Sequence, residues 1–66
     1  MKKLKVNRSI YSDEAINQTM MAYKNHAVTT VSFQRDYAVI TFWKCKYDEV
    51  LTVKEFENYL IGVENS

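Results

Sequence analysis

Apolar and polar positions alternate along three stretches of the chain and recur at helical spacing along two, in the order strand, helix, strand, strand, helix. Leu4 and Val6 alternate with Lys3, Lys5 and Asn7, which predicts a short half-buried strand ending near Ile10. Ile16, Met20 and Tyr23 then recur at i, i+4 and i+7 beside Ala15, Thr19 and Ala22, predicting a helix that buries one stripe and runs to about Asn25. Ser12 is placed to cap that helix, and Asp13 and Glu14 suit the positive end of its dipole. Tyr11 and Ile16 have the spacing of a hydrophobic staple.

Ala27 to Tyr47 predicts a β-hairpin with Gln34, Arg35 and Asp36 at its tip. Its second strand, Tyr37 to Tyr47, carries large apolar side chains on both faces. Ala38, Ile40 and Phe42 share one face, and Tyr37, Val39, Thr41, Trp43, Cys45 and Tyr47 share the other. A two-residue loop of Arg35 and Asp36 pairs Phe33 with Ala38 and Val31 with Ile40, and sets Val28, Thr30 and Ser32 beside Val39, Thr41 and Trp43. A three-residue loop shifts the pairing by one and swaps the faces; with no Asn-Gly or Asp-Gly at the tip, both registers stay open. The last element opens on Thr52-Val53-Lys54-Glu55, a capping-box pattern with Leu51 and Phe56 as its staple. Phe56, Tyr59, Leu60 and Val63 form the apolar stripe of a helix ending around Val63.

These elements predict a single α+β domain over residues 1–66, β-α-β-β-α, with a three-stranded mixed sheet in the order 1-3-2 and both helices packed on one face. A helix crossover makes strands one and two parallel, the hairpin makes strand three antiparallel to strand two, and the order 1-3-2 puts the most apolar strand in the centre. Ile40 and Phe42 then face the helices, and Trp43 faces outward.

Length sharpens this picture. A 66-residue chain buries only roughly 60% of the surface its unfolded form exposes, so little material is left to cover the second apolar face of the third strand, and that face or an open edge beside it is expected to meet another molecule. That predicts a binding module, in which a partner or a second copy adds stability by mass action. Cys45 is the only cysteine, so an internal disulfide is excluded and a reducing compartment is expected. The basic opening Met1 to Lys5 precedes no apolar run of signal-peptide length, and no stretch approaches the ~20 apolar residues of a membrane span; the expectation is a cytoplasmic protein with no membrane partner.

Candidate chemistry is sparse. In the two-residue register Cys45 and the single histidine, His26, are cross-strand neighbours, yet no third group orients them and no oxyanion site is evident, so no catalytic residue is assigned. Two such side chains fall short of a zinc site, and one glycine excludes a phosphate-cradling loop, so no metal or cofactor is expected either. The paired carboxylates at Asp13/Glu14, Asp48/Glu49 and Glu55/Glu57 suit caps and solvated faces. Tyr37, Trp43 and Tyr47 on an open sheet could stack bases, as in RNA-binding modules. Lys44 and Lys46, however, are expected on the opposite face from Trp43, and the net charge of +1 releases few counterions, which disfavours nucleic acid.

The opening Val6-Asn7-Arg8-Ser9-Ile10-Tyr11-Ser12-Asp13-Glu14-Ala15-Ile16, the Ala22-Tyr23 pair and the late Glu55-Phe56-Glu57-Asn58-Tyr59-Leu60 resemble the His-Xaa-Ser system protein HxsD and its short relatives. The ending Ile61-Gly62-Val63-Glu64 departs from the arginine-glutamate ending of that family. The resemblance implies a non-enzymatic accessory protein that accompanies radical SAM enzymes in the modification of ribosomally made peptides. It would bind a precursor peptide, the modifying enzyme, or both. An open edge of the first or second strand could take an added peptide strand, and Lys3, Lys5 and Arg8 could favour an acidic leader. The expected partner-binding residues are therefore Lys3, Lys5, Arg8, Tyr37, Val39, Thr41, Trp43 and Tyr47, with homodimerisation as a further use of the same face. A nucleic-acid-binding regulator and a phage- or plasmid-encoded inhibitor are the alternative readings.

Overall fold

The computed structural model describes all 66 residues, Met1–Ser66. The chain runs β1 (Lys2–Asn7), α1 (Asp13–Ala22), β2 (Ala27–Phe33), β3 (Tyr37–Cys45) and α2 (Glu49–Glu64), a small α+β domain in the expected order. The three strands form one sheet in the order β1-β3-β2. β1 and β2 point the same way, as a helix crossover requires, but each neighbours β3 and both ladders are antiparallel. The sheet is therefore antiparallel throughout rather than mixed.

Alternation along the strands builds the core. Val6, Ala38, Ile40 and Phe42 from the inner sheet face meet Ala15 and Ile16 of α1 and Phe56 and Leu60 of α2, all buried. Phe42 and Phe56 meet edge to face with ring centroids 5.1 Å apart, an arrangement that adds to their area burial. Both helices thus cover the Ile40 and Phe42 face, and the other face of the sheet is left open. No helix is long and apolar enough to cross a membrane.

Local signals set most boundaries. Ser12 caps α1, its hydroxyl accepting from the Ala15 amide at 3.1 Å. α1 ends at Ala22, one turn before the expected Asn25, because the chain turns at Tyr23 to Asn25 to enter β2. β1 stops at Asn7 rather than Ile10, where the Asn7 side chain accepts from the Ser9 amide and closes a turn.

α2 departs from expectation more sharply. Its N-cap is Asp48, whose carboxylate accepts from the Leu51 amide at 2.9 Å. Thr52 lies inside the first turns, buried, with its hydroxyl donating to the Asp48 carbonyl at 2.7 Å. The capping box at Thr52–Glu55 therefore does not form. Leu51 is largely exposed, so it makes no staple with Phe56. Asp48 caps as well as threonine does and begins the helix four residues earlier, adding backbone hydrogen bonds that a start at Thr52 forfeits.

The hairpin adopts the two-residue register, with Phe33 opposite Ala38 and Val31 opposite Ile40. No residue has positive φ, so the turn is neither type I′ nor II′. Near the open end the register slips. Thr29 pairs with Phe42 but Val28 pairs with Lys44, so Trp43 is an extra residue without a cross-strand partner, a β-bulge.

Candidate functional site

The bulge decides what the open face contains. Beyond Trp43 the alternation of β3 is reset: Ala27 pairs with Cys45, Ala27 is buried and Cys45 packs against the core. Lys44, opposite the exposed Val28, consequently joins the outer face with Trp43, and Lys46 follows it. Both lysines were expected on the other side. Cys45, conversely, leaves the Trp43 face, and so does Tyr47, which lies past the strand end with its ring 6.2 Å from that of His26. His26 is therefore not opposite Cys45 and no Cys/His pair exists.

The remaining expected residues divide. Lys3 lies opposite Thr41 and Lys5 opposite Val39, and Asn7 is opposite Tyr37, so these β1 and β3 positions share the outer side of the sheet. Thr41 is buried there and Val39 half-buried, however, so Thr41 is not available to contact a partner as expected. The Trp43 indole N–H donates to the Thr30 hydroxyl at 2.8 Å, which ties the half-exposed ring to the same face. The Lys5 ammonium sits 4.2 Å from the centre of the Tyr37 ring, a cation–π contact. Tyr37 and Trp43 lie at opposite ends of β3, about 20 Å apart at ~3.3 Å per residue.

Arg8 does not belong to this face. Its guanidinium binds the Asp13 carboxylate through two parallel hydrogen bonds, Nε to Oδ1 at 3.0 Å and Nη2 to Oδ2 at 2.6 Å. Nη1 donates to the Gln34 carbonyl, and the Phe33 ring lies 5.2 Å beneath the group. Arg8 thereby ties the end of β1 to the first turn of α1 and to the hairpin tip, so its charge is consumed within the fold. The paired guanidinium holds the Asp13 carboxyl below its ordinary value of 3.8, and Asp13 in turn raises Arg8.

Neither remaining reactive group is activated. Burial, and then the Glu49 carboxylate, push the Cys45 thiol upward, so it stays protonated and a poor nucleophile at neutral pH. Burial likewise raises the Tyr23 hydroxyl. No three His, Cys, Asp or Glu side chains come together in a way that could hold a metal ion.

The sheet has two open edges of different character. In β1 the Arg8 amide donates to the Asp36 carbonyl, so alternation turns the amides of Lys3, Lys5 and Asn7 outward, on a strand whose lysines guard it. In β2 the Gln34 amide donates to the Tyr37 carbonyl, so alternation turns the backbone groups of Thr29, Val31 and Phe33 outward. β2 carries no charged residue and no proline in seven residues. Beside it, Met20 and Met21 of α1 and Ala27, Val28 and Thr29 of β2, together with Asn17 and Lys24, line a largely apolar groove of about 530 Å³. The charge-free sequence of β2 is visible in the chain; the groove is not, because it depends on where α1 ends.

No family model, curated protein or solved structure matches this chain.

Proposed function

We propose that the protein is a non-catalytic accessory component of a ribosomal peptide-modification system, and that it captures an extended segment of a precursor peptide as a fourth strand on β2. The observation that carries this reading is the uncharged open edge of β2 beside the methionine-lined groove. Backbone groups at Thr29, Val31 and Phe33 supply affinity to any extended chain. The groove accepts an apolar side chain from the incoming strand, and methionines adapt to its shape. The resemblance of the Val6 to Ile16 and Glu55 to Leu60 segments to HxsD-like proteins supplies the biological setting, with a radical SAM enzyme as the catalytic partner.

The test is titration of the purified protein with the precursor peptide encoded beside its gene, and with the neighbouring radical SAM enzyme. Binding to either at tens of micromolar or tighter supports the proposal, and binding to neither removes it. The chain is short enough for chemical synthesis, so an N-methyl group can be placed on the Val31 amide, which points outward. That substitution abolishes peptide capture while the ladder to β3 stays intact.

A further inference from the structure

The open face of the sheet is chemically one-sided. Lys3, Lys5, Lys44 and Lys46 point to it, and no strand carries a carboxylate. The eight acidic residues lie instead in the first turn of α1, at the hairpin tip, and on α2 with its cap. Where β2 begins and β3 stops, Lys24, His26, Lys44 and Lys46 line a basic hollow of about 290 Å³. The molecule is 16 Å across its thinnest dimension, against a Debye length of ~8 Å at physiological salt, so the acidic helices do not neutralise this face for a docked partner. A net charge of +1 therefore conceals a strongly positive surface.

From this placement we infer that the open face is a docking surface for an acidic patch on another protein, centred on Trp43 and distinct from the β2 edge. A second copy is disfavoured, because stacking two of these faces opposes four lysines with four. The bare sheet, three strands by about seven residues, has a footprint of only roughly 300 Å² in projection at ~4.8 Å between strands and ~3.3 Å per residue, which suits a small, transient interface. Docking is thus weak and electrostatically steered. Single-stranded nucleic acid fits less well. Successive bases need neighbouring rings, whereas Tyr37 is a strand length from Trp43 and is already engaged by Lys5. Trp43, with its N–H satisfied by Thr30 and its ring fixed in place, is instead suited to be the apolar anchor of a protein contact.

Trp43 is the only tryptophan, so its fluorescence reports on this face alone. The experiment titrates the full chain with poly-L-glutamate and, separately, with a twelve-residue oligothymidylate, across a range of salt. Poly-L-glutamate is expected to shift the Trp43 emission and to lose roughly tenfold or more in affinity between low and physiological salt as screening shortens the reach of the lysines. Reversing Lys3, Lys5, Lys44 and Lys46 to glutamate is expected to abolish binding with the circular dichroism unchanged, while Lys54→Glu on α2 leaves binding intact. No response to poly-L-glutamate overturns the inference. Equal or tighter binding of oligothymidylate overturns it in favour of nucleic acid, and a dimer that the lysine reversals dissolve overturns it in favour of a second copy. The four lysines reversed here do not line the β2 groove, so failure of this test is distinguishable from failure of peptide capture at β2.

Discussion

At the scale of single residues, the strongest polar contact is internal. Arg8 joins the end of β1 to the first turn of α1, five residues on, and to the distant hairpin tip, and its pairing with Asp13 lowers the carboxyl below 3.8. A carboxylate whose folded pKa is depressed contributes stability that is fully present above its unfolded value and is lost as pH falls through its folded one. Asp13→Asn should therefore lower thermal stability at pH 7 and flatten its decline below about pH 4, which melting curves over an acid series would reveal. An identical acid limb in the variant would assign no stabilising role to the pair. The thiol of Cys45 runs the opposite way: burial and Glu49 keep it protonated, so its reaction with a disulfide reagent at pH 7.5 should be markedly slower than that of a free thiol and should accelerate on unfolding. Arg8 shows why residue roles were only partly legible in the sequence. Its charge and its place near β1 were visible, but the carboxylate and carbonyl that absorb it come together only when α1 and the hairpin tip fold back onto the end of β1.

Elements were more legible than faces. Period-two and period-3.6 patterns reveal all five elements and their order, because burial on one side leaves that imprint. Two features broke the pattern. The first is the start of α2, where Asp48 and Thr52 are both good caps and the chain uses the earlier one. Asp48→Ala should destabilise the protein by about 1 kcal/mol, whereas Glu55→Ala should change little, since no capping box exists for Glu55 to complete. The reverse ranking in denaturant titrations would place the cap at Thr52. The second is the bulge. A single unpaired residue leaves no periodic trace, yet it moves Lys44 and Lys46 onto the Trp43 face and takes Cys45 and Tyr47 off it. Because Trp43 is the extra residue, deleting it restores a regular ladder without moving any core side chain to the other face. The deletion should keep the helical circular dichroism and lose docking at the open face, as should Trp43→Ala. Collapse of both variants would make Trp43 part of the folding core.

At the scale of the whole molecule, a core of nine buried apolar residues holds one sheet face while the other face and both edges stay open. A domain of this length has a stability of roughly 3–10 kcal/mol in total. Removing the Phe56 ring, at roughly 3–5 kcal/mol, should leave a largely unfolded chain. The same marginality makes ligand binding easy to detect, because a peptide at a hundred times its dissociation constant adds about 2.7 kcal/mol, or roughly 10–20 °C in a domain this small. Amide exchange locates that stabilisation. The amides of Thr30, Ser32 and Gln34 point to β3 and should exchange slowly in the free protein, whereas those of Thr29, Val31 and Phe33 face solvent and should exchange fast. Peptide addition at β2 should slow this second set specifically, and an acidic polymer on the open face should leave it fast. Protection of Lys3, Lys5 and Asn7 instead would move capture to the lysine-guarded edge of β1, and uniform slowing at every amide would mean global stabilisation with no strand added.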